Sequence, residues 1–249
     1  MNANEEKMLL DTCVLAGKIL MENGAEMHRV EDTMNRILSV EYGTNEAMSF
    51  VIPTGIFVTT HKGESTKMKR ISSRKQDVEK IAQVNEASRQ FSSGIYDVPQ
   101  FYNRMQEIST SVTDFPLWLR VIVSGVISAC MMIIFQGSAK DFGLTFLIGA
   151  IGYAFYYVAN RYLKVRFLQE FLAAFLVATV ANVCAKIGII HNVDTVIIGS
   201  IIIFVPGIQI MNSIRDFLVG NTISGTIFLV EAMMIAAMIG AGVMSGVVF

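Results

Sequence analysis

The stretch LWLRVIVSGVISACMMIIFQG, residues 117–137, decides the fold class of this chain, because Arg120 is its single charged residue. A helix rises about 1.5 Å per residue, so about 20 residues cross a hydrocarbon core roughly 30 Å thick. Four more apolar stretches follow, at 142–160, 167–190, 195–214 and 222–248. The sequence therefore predicts an α-helical integral membrane protein whose transmembrane bundle of about five helices occupies residues 116–249.

Residues 1–115 have a different composition. The whole chain of 249 residues is 53% hydrophobic and 16% charged, with a net charge of −1, but 13 of its 20 Lys and Arg precede Pro116. These basic residues are interleaved with acidic ones, so no concentrated basic face is expected and nucleic-acid binding is set aside. We predict that residues 1–115 form a soluble, cytoplasmic α+β domain.

The residue pattern predicts the order helix, helix, sheet, helix, helix for this domain. Apolar spacing indicates amphipathic helices at 9–20 and 27–38, and Gly43 is a plausible C-terminal stop for the second. Residues 47–71 are rich in β-prone side chains and are broken at Pro53-Thr54-Gly55 and at Lys62-Gly63-Glu64, which indicates two or three strands. Two more helices are predicted at 77–91 and 97–110, the latter capped by Asp97 with Pro99 in its first turn.

The short loops predict the orientation in the membrane. The residues before Leu9 are polar and acidic and predict no secretory signal peptide, so the segment that starts near Leu117, after Asp114-Phe115-Pro116, inserts first. Basic residues near span ends stay in the cytoplasm, and here they follow spans two and four: Arg161, Lys164, Arg166 and Arg215. We expect a multi-pass protein of the bacterial plasma (inner) membrane with its N-terminus in the cytoplasm and its C-terminus outside.

The fourth apolar stretch contains a candidate site. Pro206 and Gly207 interrupt it in the sequence IFVPGIQIMN, residues 203–212. A helix broken at membrane depth frees backbone N–H groups that can meet a substrate carboxylate. The alternative is an ordinary proline kink closed by a neighbouring helix. Gln209 and Asn212 can likewise hydrogen-bond a substrate or another helix.

Other polar residues of the apolar half have two interpretations each. Glu231 lies within the last span and is a candidate proton carrier, unless the helix begins late and the residue is interfacial. Glu170 is near the start of span three, where an interfacial role is common, and Asn182 is suited to linking helices. Arg215 and Asp216 end span four, where they form either a polar surface or an ion pair with a substrate.

One turn of the N-terminal region concentrates titratable groups: Glu26, His28, Arg29 and Glu31. The HxxE spacing lacks the second histidine of a zinc-protease motif, so we expect a solvated face or a docking surface and no metal. The chain also has no GxSxG, Walker A or dinucleotide-binding pattern. We therefore expect no cofactor and no enzymatic activity, and a membrane enzyme is the least favoured class.

Two motifs resemble the threonine/serine exporter family. They are GAEMHRVEDTM at residues 24–34 and, further along, Val205-Pro206-Gly207 followed by NSIRDFL at 212–218 and Gly220 to Gly225. The resemblance implies a soluble N-terminal region and about ten membrane helices in two halves, of which this chain would supply the first. It resembles the split form, in which a second small membrane protein supplies the other half and which is associated with export of dicarboxylates such as succinate.

The leading hypothesis is one half of a secondary exporter for small carboxylates, either threonine and serine or a dicarboxylate, driven by a proton or other ion gradient. Glu231 is then the proton carrier and Arg215 the carboxylate partner. The second hypothesis is a membrane-anchored sensor or scaffold whose soluble domain binds a ligand or partner. The sequence leaves the substrate, the coupling ion and homo-oligomerisation open.

Overall fold

The computed structural model of the chain describes residues 3–43, 47–60, 66–72, 74–111, 115–163 and 165–248. The Lys62-Gly63-Glu64 break, Asp114 and Lys164 lie outside these ranges. The described residues are mostly helical and fall into two compact units. The first unit is Met1–Asp114 with Asn212–Ile227, and the second is Phe115–Met211 with Phe228–Phe249.

The first unit has the predicted order of two helices, a small sheet and two helices. Its elements are α1 (Ala3–Glu22), α2 (Met27–Tyr42), β1 (Ala47–Ile52), β2 (Gly55–Thr60), β3 (Thr66–Arg70), α3 (Val78–Ser92) and α4 (Val98–Thr110). The strands are antiparallel in the order β1-β2-β3, with Ile52 opposite Gly55, so Pro53 and Thr54 form a two-residue turn. Strand β3 is short and mostly exposed, as suits an edge strand rich in basic residues.

The core of the first unit lies between α1, α2, α4 and β2. Among its fully buried side chains, Phe101 of α4 stacks on Phe91 of α3 with ring centroids 4.6 Å apart. Asp97 caps α4 as predicted, since its carboxylate accepts the N–H of Gln100 while the Gln100 side chain accepts the N–H of Asp97. Gly43 follows α2 with φ +72°, a backbone conformation that favours glycine.

The sequence did not indicate that Asn212–Ile227 would group with the N-terminal residues. These residues are the end of α9 (Gly207–Val219), a turn, and the start of α10 (Thr222–Val248). Gly220 turns the chain with φ +89°, and the N–H of Asn221 donates to the carbonyl of Asp216 at 2.8 Å. Ser213 donates to the carbonyl of Gly225 at 2.8 Å. The two helix ends and the turn, residues 212–227, are called the α9–α10 corner below.

The second unit consists of apolar helices: α5 (Leu117–Ile134), α6 (Phe142–Tyr162), α7 (Leu168–Lys186), α8 (Val193–Ile201) and parts of α9 and α10. Within the described residues, four stretches are long and apolar enough to cross a membrane: Leu117–Ile134, Ala139–Tyr162, Leu168–Lys186 and Thr222–Val248. The pair Val193–Phe204 and Gly207–Val219 gives a fifth span if the two helices are counted together. Helix α5 ends earlier than predicted because Gln136, with φ +64°, turns the chain out of the helix.

Small residues allow close packing in the second unit. Ala173, Ala174 and Ala178 of α7 are buried in its core. A Cβ placed on Gly242 would collide with the carbonyl oxygen of Phe171, so α10 and α7 meet with their backbones close together. Gly240 differs, because nothing lies within 4 Å of a Cβ placed there. Gly242 therefore permits close helix packing, whereas Gly240 does not take part in it.

Candidate functional site

The fourth apolar stretch is broken at the predicted position. Helix α8 ends in a 3-10 turn at Ile202–Phe204, Val205 is extended, and α9 starts at Gly207 with a bend of 58° between the two helical segments. Proline lacks an N–H, and the residue before proline is driven out of helical conformation, so the sequence itself explains the break. Pro206 is buried, Gly207 is exposed, and Gln209 and Asn212 are half-buried.

A groove of about 510 Å³ lies beside this break. Its wall is mainly apolar and includes Leu119, Val123 and Ile127 of α5 together with Ile203, just before the break. Arg120 and Tyr153 supply polar atoms. The guanidinium of Arg120 also lies 5.1 Å from the ring centre of Tyr157, a cation–π contact that helps to hold it.

Glu170 is buried in the second unit, with 6% of its surface exposed. Gln169 donates to its Oε1 at 3.2 Å, while Oε2 has no hydrogen-bond partner among the described residues. Tyr156 of α6 interacts with the same carboxylate, and its ring packs against Phe204 with the ring centroids 5.3 Å apart. An interfacial role is common at this position, and the structure shows in addition that the side chain is buried within the unit.

The other two polar candidates of the second unit have partners. Glu231 forms an ion pair with Arg166, just before α7, and 15% of the Glu231 side chain is exposed. Asn182 of α7 donates to the carbonyl of Val247 in α10 at 2.9 Å, so it links two helices.

A second cluster, called the motif cluster, lies in the first unit and consists of Glu26, His28, Glu31, Arg215 and Asp216. Glu26 forms an ion pair with Arg215, and its other carboxylate oxygen lies 3.7 Å from Nε2 of His28. Both motifs of the family resemblance therefore contribute to one cluster, in which the start of α2 meets the α9–α10 corner. Sequence spacing alone could not place residues about 190 positions apart side by side.

Asp216 is the most buried acid of the motif cluster, at 2% exposure. Its Oδ2 has no hydrogen-bond partner among the described residues, and His28 and Glu31 are its charged neighbours. His28 Nδ1 is also buried without such a partner there. A buried carboxylate without full hydrogen bonding is costly, so these atoms mark a polar site that the described contacts leave incomplete.

The remaining motif residues have separate positions. Glu31 accepts the N–H of Val51 at 2.9 Å and so ties α2 to β1. Arg29 is exposed and borders a small cleft with Asn85 of α3. Next to this region, Met27 is buried and accepts a hydrogen bond from Ser224 of the α9–α10 corner at 2.8 Å. Cys13 is fully buried in the same unit, and burial raises the pKa of its thiol, which makes it a poor nucleophile.

Comparison with known proteins identifies a family for this chain and relatives that are named as transporter subunits. A family described as "Putative threonine/serine exporter" matches residues 11–249. The "Probable succinate transporter subunit YjjP" of Escherichia coli K12 is 21% identical over 229 residues, covering 90% of this chain and 88% of the relative. Its namesake from Klebsiella aerogenes is 22% identical over 226 residues, covering 89% and 86%.

A fungal relative extends the comparison. The "Pheromone-regulated membrane protein 10" of Candida albicans is 21% identical over 252 residues, which cover 97% of this chain but 22% of the fungal protein. No solved structure matches the chain.

Proposed function

This chain belongs to the threonine/serine exporter family, and from that premise we propose that it is one half of a secondary exporter of small carboxylates in the plasma membrane. The transport role follows the family and the relatives named as transporter subunits. The substrate class, the partner and the site residues below are our proposals.

The helix break at Pro206 is the main structural support for a carboxylate site. At Pro206 the chain ends one helical segment and begins another with a bend of 58°. The first N–H groups of a helix lack intrahelical partners and carry a partial positive charge, so the start of α9 suits a carboxylate. Gln209 and Asn212, three residues apart on α9 and half-buried, add amide groups on one side of that helix. Discontinuous helices of this kind form the substrate sites of several transporter folds.

A dicarboxylate is the preferred substrate. The two bacterial relatives match along most of both chains and are named succinate transporter subunits, whereas the family description names threonine and serine. All three carry a carboxylate, which the start of α9 would bind in the same way. Arg120 at the adjacent groove is the cation that we assign to a second carboxylate, because Arg215 is paired with Glu26.

The partner would be a second small membrane subunit that supplies the other half of the transporter. Two observations support this: the bacterial relatives are named subunits, and the described residues of this chain contain at most five candidate spans. An odd number of spans places two related halves in inverted orientation, with the N-terminus of this chain in the cytoplasm and its C-terminus outside. A phosphatase or fluorescent-protein reporter fused to the C-terminus tests the orientation, and a cytoplasmic C-terminus would refute it.

Transport in proteoliposomes tests the function. Vesicles that contain this chain and its partner should export succinate when an ion gradient is imposed, and vesicles that lack either subunit should not. Pro206→Ala restores a backbone donor and should straighten the bend; we expect a loss of about tenfold in rate, which is roughly 1.4 kcal/mol in the barrier. Val205→Ala keeps the proline and serves as the matched control. The proposal fails if the paired wild-type subunits move no dicarboxylate or amino acid.

A sensor or scaffold is the second candidate, and the motif cluster favours it. In that case the N-terminal unit would read a ligand or partner and signal through the α9–α10 corner that belongs to the same unit. Variants at His28, Arg29 or Glu31 would then abolish activity, while Pro206→Ala and Glu231→Gln would behave as wild type. The exporter proposal expects the opposite result for Pro206→Ala, so this variant separates the two functions.

A further inference from the structure

The second unit contains four carboxylates with different surroundings. Asp194 is exposed in the first turn of α8. Asp141 is buried but accepts the backbone N–H groups of His191 and Asn192, both at 3.1 Å. Glu231 is paired with Arg166. Glu170 differs from the other three because it is buried and one of its oxygens, Oε2, has no hydrogen-bond partner in the described part of the chain.

The surroundings of Glu170 suit a carboxylate that gains and loses a proton. An ionised carboxylate in an apolar interior is costly, and taking up one proton removes the charge. Tyr156 from α6 and the guanidinium of Arg166 both favour the ionised form. Gln169 holds Oε1 and leaves Oε2 as the atom available to a proton. The ionised form of Glu170 is therefore stabilised by Tyr156 and Arg166, and the neutral form by the apolar interior.

A short chain of contacts joins Glu170 to the helix break. The carboxylate interacts with Tyr156, and the Tyr156 ring packs on Phe204, which is 8% exposed. Phe204 is the last residue before extended Val205 and buried Pro206. A change in charge at Glu170 would alter its interaction with the Tyr156 hydroxyl, and the ring of that residue contacts the end of the helical segment at the break.

We propose that Glu170 is the proton-binding site that couples this subunit to a proton gradient, with Tyr156 and Phe204 linking it to the break at Pro206. The coupling role rests on the proposed export function, whereas the proton-binding role does not. One proton adds to Oε2 and the same proton later leaves, so no covalent bond other than O–H forms or breaks. Glu231, which the sequence suggested for this role, forms an ion pair with Arg166, so Glu170 is the candidate that we prefer.

A proton fits this site better than a metal cation. Hard cations such as Ca²⁺ take six or more oxygen ligands. Glu170 has Tyr156, Gln169 and Arg166 as its polar neighbours, and no group of three His, Cys, Asp or Glu side chains suited to a metal occurs within the described ranges. A proton needs a single oxygen atom.

Infrared difference spectroscopy tests proton binding without any transport. The purified full chain in detergent is stepped between acidic and alkaline buffer, and the carbonyl stretch of a protonated carboxylic acid is followed. Glu170→Gln should abolish a band that wild type, Glu231→Gln and the exposed control Asp194→Asn all retain. A band that survives in Glu170→Gln, or that disappears in Glu231→Gln instead, would overturn the assignment of the proton to Glu170.

Transport assays then test the coupling. In proteoliposomes with the partner subunit, Glu170→Gln should lose at least about tenfold of the transport driven by a pH gradient, an effect of roughly 1.4 kcal/mol. The same variant should keep exchange of labelled for unlabelled succinate, which needs no gradient. Loss of both activities would mean a structural role, and retention of both would mean that another residue couples. If wild type transports nothing while the infrared band depends on Glu170, the export function fails and the proton site stands.

Discussion

The two units of this chain use polar residues in different ways. In the first unit, the motif cluster gathers five titratable residues from two distant segments, and two of them, Glu26 and Arg215, form an ion pair. In the second unit, the groove beside the helix break is lined mainly by apolar side chains, with Arg120, Ser124 and Tyr153 as polar exceptions. The motifs that were easiest to recognise therefore lie mostly in the first unit, while the broken helix itself begins in the second.

The contrast between the two units shows that a recognisable sequence motif and a substrate site need not coincide. Charged residues are costly among apolar helices, so a transporter keeps few of them there and each has a defined role. The first unit has no such restriction, and its polar residues can hold the α9–α10 corner in place. We expect close packing to dominate the stability of the second unit and polar contacts to dominate the stability of the first.

The largest effect should come from close helix packing in the second unit. Gly242→Val places a branched side chain against the Phe171 carbonyl and the Phe175 N–H, neither of which can move without distorting α7. We expect a loss of stability of about 3 kcal/mol, at the upper end of the usual cost of overpacking. Thermal unfolding in detergent measures it. Gly240→Val, on the same helix in open space, should change the midpoint little, and equal losses in both variants would contradict the packing account.

Much of the fold could be predicted from the sequence because local patterns determine it. The apolar runs, the Asp97 cap and the Pro206 break each depend on neighbouring residues, and the structure confirms all three. The grouping of Asn212–Ile227 with the N-terminal residues depends on contacts between distant segments, which no periodicity reveals.

The site residues show the same division. Glu231 and Glu170 were both identifiable as acids in apolar stretches. Only the structure pairs the first with Arg166 and shows that Oε2 of the second has no hydrogen-bond partner among the described residues. Tyr156 was missed because aromatic residues are ordinary in apolar helices. The one available signal was the run Phe155-Tyr156-Tyr157, where hydroxyl groups enter an apolar stretch.

A smaller change in stability, this time a gain, is expected when Asp216 is replaced. Its carboxylate is buried near Glu31, and Oδ2 has no hydrogen-bond partner in the described ranges. Asp216→Asn removes the charge and should raise the stability by about 1 kcal/mol, the usual scale for an unsatisfied buried polar group. Asp32→Asn, which disrupts an exposed pair with Arg36, should stay within about 0.5 kcal/mol of wild type.

Measuring both thermal unfolding and transport for Asp216→Asn distinguishes a functional role of the charge from a structural one. A gain in stability with a loss of transport would mean that the charge is kept for function at the expense of stability. A loss of stability larger than about 1 kcal/mol would contradict this account, because it would show that the Asp216 charge has a stabilising partner in the folded chain.

The smallest effect is expected for the ion pair between Arg215 and Glu26. Half of the Arg215 side chain is exposed, so water screens the pair and a double-mutant cycle should give a coupling of about 0.5–1 kcal/mol. The combined variant Arg215→Glu with Glu26→Arg should recover most of the stability that either change alone loses. Arg104 and Glu107, an exposed pair on α4, provide the matched control, for which we expect a coupling of about 0.3 kcal/mol.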